Sequence, residues 1–131
     1  MNFILKKIQD VKGKEKLEIS FKEKYSFERR KNDSETVLAK YPNRVPVIIE
    51  RFGIEVPKID RSKYLVPDDL TMASFMLVIR KRIKLEPEKA IYLFVNGKIL
   101  AGMETVHSVY DKYRDEDGFL YMTYSGESTL G

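Results

Sequence analysis

Phe119-Leu-Tyr-Met-Thr-Tyr124 is a short run in which large apolar side chains fall on both sides of an extended chain. A half-buried strand alternates apolar and polar residues, whereas a strand covered on both faces does not. The run therefore predicts the central strand of a sheet. The rest of the chain must supply the neighbouring strands and the helices that cover the sheet.

Two strands are predicted earlier in the chain. The β-branched segment Val45–Phe52 predicts a strand in which Pro46 lies near the start or at a sheet edge. A loop over 53–60 then leads to a short strand, Lys63–Val66, which Pro67 closes. A short strand next to a proline is typical of a sheet edge, where backbone N–H and C=O groups stay free.

A fourth strand and three helices complete the pattern. Ala90–Val95 predicts a strand, and Asn96-Gly97 predicts a type I′ turn directly after it. Helical spacing marks Phe27–Lys40, the segment from about residue 70 to Lys84, and Met103–Tyr113. The order predicts an α+β domain with helices on one face of the sheet, and it fits a ubiquitin-like β-grasp preceded by additional helical sequence.

Composition excludes several classes of function. The chain has 131 residues, 43% of them hydrophobic, and no cysteine, so disulfides, thiolate metal sites and thioester carriers are excluded. The longest apolar stretches, Phe75–Ile79 and Ala90–Val95, fall far short of the roughly 20 residues that cross a bilayer. The first residues are too short for the apolar part of a signal peptide. A cytoplasmic protein is expected.

The net charge of +4 is unevenly distributed. Residues 1–51 hold 13 Lys/Arg and 8 Asp/Glu, whereas residues 101–131 hold 2 and 6. No RNA-binding aromatic motif, zinc-finger spacing or arginine-rich arm accompanies this charge, so we predict no nucleic-acid partner. The alternative is an ordinary solvated surface.

Residues 1–20 form an extension before the domain predicted for residues 21–131. Four apolar side chains of the extension share one helical face, and Gly13 would end such a helix: Phe3, Ile4, Ile8 and Val11. The sequence leaves open whether this segment packs on the domain, stays mobile or lies on an anionic membrane. Residues 125–131 are predicted to form a C-terminal tail.

No catalytic centre is predicted, because no nucleophile, acid/base pair or phosphate-binding loop is found. The single histidine, His107, has no second histidine, cysteine or evident carboxylate partner, so it is expected to be structural or exposed. The acidic run Asp115–Asp117 lacks the spacing of a calcium loop and predicts a solvated loop. We therefore expect no enzyme activity, no metal and no cofactor.

Gly131 suggests a different role. A glycine carboxylate has no side chain to obstruct a narrow active site, so another enzyme could activate it and transfer it to an amine. The chain would then be a conjugated passenger. The alternative is that Gly131 belongs to an ordinary frayed tail.

Several longer motifs follow one another along the chain. They are Phe21-Lys22, Phe27-Glu-Arg-Arg30, Tyr41-Pro-Asn-Arg-Val-Pro46, Asp60-Arg-Ser-Lys-Tyr-Leu-Val-Pro67, Ile79-Arg-Lys-Arg-Ile83, Pro87-Glu-Lys-Ala90, Phe94-Val-Asn96 and Asp117-Gly-Phe-Leu-Tyr-Met-Thr-Tyr-Ser-Gly-Glu-Ser128. In this order, from about Phe21 to Gly131, they resemble the autophagy-related protein eight family of ubiquitin-like modifiers, the type of GABARAP and microtubule-associated light chain three.

The resemblance implies a ubiquitin-like fold with two N-terminal helices and conjugation of Gly131 to phosphatidylethanolamine. The implied partners are activating and conjugating enzymes, a processing and deconjugating cysteine protease, and receptors that carry aromatic-x-x-aliphatic motifs. The protein is expected to be a monomer that moves from the cytoplasm to autophagosome or vesicle membranes after lipidation.

The resemblance also implies the site residues. The aromatic pocket would use Asp33, Val37, Pro46, Ile48, Lys63, Leu65 and Phe119. The aliphatic pocket would use Tyr64, Val66, Pro67, Leu70, Phe75 and Val78, although Leu70, Phe75 and Val78 have the plainer alternative of belonging to the core. Acidic residues that flank the peptide motif would contact Arg44, Arg61, Lys63 and Arg82.

Some residues depart from the family pattern. Leu130 replaces an aromatic residue, Asp33 a glutamate, and Leu100-Ala101 a proline pair. Leu130 and residues 1–20 keep a second function open, an unconjugated cytosolic adaptor or trafficking protein that uses the same pockets.

Overall fold

The computed structural model describes residues 18–128, which form one mixed five-stranded sheet with helices on both faces. The helices are α1 (Phe21–Lys24), α2 (Phe27–Lys40), α3 (Met72–Arg82) and α4 (Val106–Tyr113), and the strands are β1 (Arg44–Arg51), β2 (Lys63–Pro67), β3 (Tyr92–Val95), β4 (Lys98–Ile99) and β5 (Leu120–Ser125). The strand order is β2-β1-β5-β3-β4. The predicted α+β class is confirmed, with β5 central and β2 at an edge.

The register brings several chain segments to one end of the sheet. Strands β1 and β5 run parallel, and the other neighbouring pairs are antiparallel. Arg51 at the end of β1 lies beside Tyr124, and Ser125 at the end of β5 lies beside Tyr92. The chain after Ser125 therefore leaves the domain next to the loop that connects β1 to β2.

The helices cover both faces of the sheet, so the prediction of helices on one face is wrong. Val47 and Ile49 point into the large apolar core that α3 and α4 cover. Ile48, between them, points the other way and packs with Phe21 of α1 and with Phe119. Alternation along β1 produces this division, because successive side chains face opposite sides.

Each helix begins at a hydroxyl side chain. The oxygens of Ser20, Ser26, Thr71 and Thr105 each accept a hydrogen bond from the backbone N–H three residues later, which satisfies a donor that has no partner within the helix. The predicted bounds of α2 are confirmed. Met103, which was predicted to belong to the last helix, precedes α4 and is 82% exposed.

The turn between β3 and β4 agrees with the sequence. Asn96 and Gly97 have φ values of 57° and 75°, the positive pair that a type I′ turn requires. None of the helices within residues 18–128 is long and apolar enough to span a membrane. The helical pattern predicted for the first residues and the position of Gly131 lie outside the described residues.

Candidate functional site: a free sheet edge between two side-chain clusters

The edge strand β2 has a backbone that pairs on one side only among the described residues. The N–H of Ile49 donates to the carbonyl of Ser62 at 2.8 Å, so Ser62 directs its carbonyl towards β1. Because this direction alternates along an antiparallel strand, the N–H and C=O groups of Lys63 and Leu65 point away from β1. An added strand would find four backbone partners there.

On the α1/α2 side of the edge, Lys63 lies over an aromatic cluster. Its Nζ is 2.7 Å from a carboxylate oxygen of Asp33 and 6.0 Å from the ring centroid of Phe21. Ile48 is the cross-strand partner of Lys63, and it packs with Phe21 and Phe119. Ile48 and Phe119, which were predicted to line the aromatic pocket, are fully buried and have no exposed wall.

The remaining members of the aromatic set continue this surface. Leu65 and Pro46 are cross-strand partners, and Leu65 lies on the same face of β2 as Lys63. Leu65 is half-buried, whereas Pro46 is buried. Val37 is half-buried on α2, one helical turn after Asp33.

On the other side of the edge, Tyr64 and Val66 face the large core. The rings of Tyr64 and Phe75 meet edge to face with centroids 6.3 Å apart. Val66 and Phe75 are buried, and Leu70 packs against the same cluster. Phe75 is therefore a core residue, whereas Pro67 and Val78 are exposed, Val78 by 39%.

Basic side chains lie at both ends of β2. The Arg82 guanidinium is 3.2 Å from the Asp60 carboxylate, and it stacks over the Tyr64 ring at 5.7 Å from the centroid. Burial raises the pKa of Tyr64, and the positive charge of Arg82 opposes that shift. Arg44 and Arg61 are exposed and form no ion pair within residues 18–128.

The comparisons with known proteins agree with this architecture. A family model described as "Autophagy protein Atg8 ubiquitin like" matches residues 29–131. This chain belongs to the Atg8 family. Autophagy-related protein 8 of Mycosarcoma maydis is 51% identical over 113 residues, which are 86% of this chain and 96% of that protein. Autophagy-related protein 8c of Arabidopsis thaliana is 52% identical over 113 residues, with 86% and 95% covered.

Solved Atg8 structures share the fold. Trypanosoma brucei ATG8 is 41% identical with a TM-score of 0.79, over 88% of this chain and all of that one. Plasmodium falciparum Atg8, solved in complex with a peptide of Plasmodium falciparum Atg3, is 38% identical with a TM-score of 0.79, over 85% and 98%. The family resemblance and the ubiquitin-like fold, with α1 and α2 as additional N-terminal helices, are thereby confirmed.

The sequence predicts a solvated loop at Asp115–Asp117, and for Asp117 this prediction is wrong. Asp117 is fully buried. Its carboxylate lies 2.5 Å from Nη1 of Arg30 and accepts a hydrogen bond from the Tyr121 hydroxyl. Ser34 of α2 donates to the Asp117 carbonyl. Burial disfavours the Arg30 charge, yet hydrogen bonds to Asp117 and Tyr121 leave the Arg30 pKa above its ordinary value. This network attaches α2 to the start of β5.

No residue near Asp117 in the sequence indicates that it is buried, because its cationic partner, Arg30, lies 87 residues earlier in the chain. Phe21 was likewise absent from the predicted aromatic pocket. His107 is exposed, as expected. A carboxylate oxygen of Asp111 lies 3.3 Å from its Nε2, so the prediction that His107 has no carboxylate partner is wrong. Within residues 18–128 no cluster of His, Cys, Asp or Glu is arranged to hold a metal ion.

Proposed function

We propose that this Atg8-family protein is an autophagy modifier that is conjugated through Gly131 to phosphatidylethanolamine and binds aromatic-x-x-aliphatic peptides at the β2 edge. The observation that carries the proposal is the arrangement around β2, where a backbone edge that is unpaired among residues 18–128 lies between two side-chain clusters on opposite faces of the sheet. In this role the protein acts as a modifier and a binding partner.

The spacing of the motif fits this arrangement. Residues three positions apart on a strand point to opposite faces, because side chains alternate with a period of two. A peptide added beside β2 would therefore direct its aromatic residue towards Lys63 and Leu65 and its aliphatic residue towards Tyr64 and Val66. Main-chain hydrogen bonds supply affinity that is independent of sequence, and the two pockets supply specificity.

Basic side chains around the edge favour acidic peptides. Arg44, Arg61 and Arg82 lie at the rim, and Lys63 lies at the aromatic pocket. Exposed charges of this kind accelerate association and select partners more than they add affinity. We propose that carboxylates that flank the peptide motif contact these four residues.

Conjugation would change where the protein resides. One acyl chain holds a protein only marginally at a bilayer, since each buried methylene contributes about 0.8 kcal/mol, whereas two chains anchor it stably. A diacyl lipid on Gly131 would therefore bring the domain to an autophagic membrane. The Atg3 peptide bound to the Plasmodium relative supports a conjugating enzyme as a partner. We propose an activating enzyme and a processing and deconjugating cysteine protease as further partners.

Titration calorimetry with an aromatic-x-x-aliphatic peptide tests the edge. Substituting Tyr64→Ala together with Leu65→Ala should weaken binding at least several-fold, because it removes one side chain from each pocket. The control is Ile99→Ala, an exposed residue at the opposite edge of the sheet. Unchanged affinity in the double variant would refute the pocket assignment.

Reconstitution tests conjugation. The chain is incubated with ATP, the activating and conjugating enzymes of the family, and vesicles that contain phosphatidylethanolamine, and intact mass reports any adduct. We expect an adduct with the unsubstituted chain and none with Gly131→Ala. Peptide binding without an adduct would support the unconjugated adaptor.

A further inference from the structure

The loop that follows β1 exposes two large apolar side chains at the end of the sheet where the chain leaves β5. Phe52 is 46% exposed and Ile54 is 73% exposed. Gly53, between them, has a φ of 88°, a left-handed conformation that favours glycine. Single exposed apolar residues are ordinary on a protein surface, so their exposure alone does not indicate a binding surface.

The loop is attached to the end of the sheet by three hydrogen bonds. The N–H of Phe52 donates to the Tyr124 carbonyl at 2.9 Å, and the Tyr124 hydroxyl donates to the Pro57 carbonyl at 2.7 Å. Nη1 of Arg51 donates to the Val56 carbonyl at 2.8 Å. The two apolar side chains therefore belong to a loop whose backbone is fixed to β1 and β5.

The C-terminal tail passes directly against this loop. A side-chain carbon built on Gly126 would lie 3.1 Å from Cγ1 of Val56 and 3.5 Å from Cγ of Glu55, the two residues after Ile54. Gly131 is five positions after Gly126, and an extended chain spans five positions in at most about 18 Å. A lipid on Gly131 would therefore hold this end of the domain close to a bilayer.

A third exposed apolar side chain lies at the same end of the sheet. Ile19 is 63% exposed. It follows Glu18, whose carboxylate lies 2.6 Å from Nη2 of Arg51 at the end of β1. Ile19 and the loop are therefore neighbours on the surface that surrounds the start of the tail.

Charge at this end gives no strong preference for or against a bilayer. Residues 1–17 hold five lysines and two acidic residues, and the side chain of Lys58 is 66% exposed. Basic residues attract anionic headgroups, but Glu55 and Glu127 are exposed here and oppose that attraction. Apolar contact is therefore expected to decide whether the surface enters a bilayer.

We propose that this end of the domain faces the bilayer after conjugation, and that Phe52, Ile54 and Ile19 enter the boundary between headgroups and acyl chains. The inference rests on the proposed lipid on Gly131. A tether raises the effective concentration of the loop at the bilayer surface, so a contact too weak to bind the free protein becomes populated. The strands then meet the membrane end-on, which leaves the β2 edge accessible to peptides.

The first test attaches the anchor chemically to the full chain. The sequence has no cysteine, so Gly131→Cys introduces a single thiol that couples to a maleimide with one acyl chain. One acyl chain holds a protein only marginally at a bilayer, and vesicle binding then responds to additional contacts. The vesicles contain phosphatidylcholine and phosphatidylethanolamine.

In this anchored protein, Phe52→Ser together with Ile54→Ser should weaken vesicle binding about tenfold, equivalent to about 1.4 kcal/mol, because two apolar side chains no longer leave water. The matched control is Leu77→Ser, since Leu77 is 60% exposed but lies on α3 and outside the loop. It should change binding by less than about twofold.

A second measurement reports the position of the loop itself. The sequence has no tryptophan, so Ile54→Trp places a single indole in the loop of a chain anchored through a diacyl maleimide lipid. Brominated acyl chains should quench its emission. The control is Tyr41→Trp, which should not be quenched, because Tyr41 is 43% exposed and precedes β1, whose other end adjoins the loop.

The outcomes separate the bilayer contact from the proposed function. Unchanged vesicle binding of the double serine variant, or equal quenching of the two tryptophans, would overturn the contact and leave conjugation of Gly131 intact. Unchanged anchored binding with slower enzymatic adduct formation would assign the loop to an enzyme and also overturn it. Failure of the proposed conjugation would be seen separately, as a missing adduct in the enzymatic reconstitution.

Discussion

The two faces of the sheet are held by different kinds of interaction. On the α3/α4 face, 17 buried residues form one continuous apolar cluster. On the α1/α2 face, three buried apolar residues are supplemented by the internal ion pair between Arg30 and Asp117. Apolar burial is strong but not directional, whereas charged hydrogen bonds fix geometry. The first face supplies stability, and the second fixes the helices that border the proposed aromatic pocket.

The largest effect is expected on the apolar face. Phe75→Ala removes a ring that is 1% exposed, and it should lower the free energy of unfolding by about 4 kcal/mol through lost burial and a residual cavity. Urea unfolding measures the change. The control is Leu77→Ala on the same helix, which is 60% exposed and should change stability by less than about 0.5 kcal/mol. Similar losses in both variants would contradict the division of the faces.

The ion pair on the other face should give the next largest effect. Arg30→Met leaves the buried Asp117 carboxylate without its cation, and we expect a loss of about 3 kcal/mol in urea unfolding. Adding Asp117→Asn to that variant should recover part of the loss, because the amide has no charge to desolvate. If the double variant is less stable than Arg30→Met, the buried charge is not the cause.

These two faces also show what could be predicted from the sequence. The helix at Phe27–Lys40, the edge strand and the Asn96-Gly97 turn were predictable because their signals are local. Helix α1 has only four residues, too few to be stable alone. It depends on the Phe21 N–H donating to Glu50 and on the Phe21 ring packing on Phe119, contacts that span 29 and more residues.

Only part of the arrangement around β2 could be predicted from the sequence. The family motifs predicted site residues around β2, but they did not indicate which of them would be buried and which exposed. That distinction depends on which face each side chain occupies and on what covers it. The burial of Asp117 depends on Arg30, which no pattern near Asp117 reveals.

A smaller effect should test how α1 is held. Ser20→Ala removes the oxygen that accepts from the Glu23 N–H, and it should cost about 1 kcal/mol. Hydrogen exchange of the α1 amides measures the local loss. The control is Thr36→Ala, an exposed hydroxyl within α2 that bonds to the Asn32 carbonyl, where we expect almost no change. Unaltered α1 exchange in Ser20→Ala would show that packing alone holds this helix.

The smallest effect concerns acid stability on the α3/α4 face. A hydrogen bond from Lys112, 2.8 Å away, lowers the pKa of Glu104 below its ordinary value of 4.5. Because the native pKa is the lower one, the stabilisation is present above the unfolded-state pKa and is lost as pH falls through the native value. Thermal unfolding between about pH 5 and pH 3 should therefore decline less steeply in Glu104→Gln.

Glu116→Gln is the matched control for that measurement. Glu116 is exposed and forms no ion pair within the described part of the chain. Its variant should keep the full acid slope. An equal flattening in both variants would assign the slope to overall charge and not to the contact between Glu104 and Lys112.

The hairpin turn at Asn96-Gly97 is a suitable place to attach a chemical label. A side-chain carbon built on Gly97 meets nothing within 4 Å, and the turn joins β3 to β4, which lies at the far edge of the sheet from β2. Since the sequence contains no cysteine, a thiol introduced at the neighbouring exposed Lys98 would be unique. A fluorophore attached there would report binding or membrane recruitment while leaving the opposite margin of the domain unobstructed.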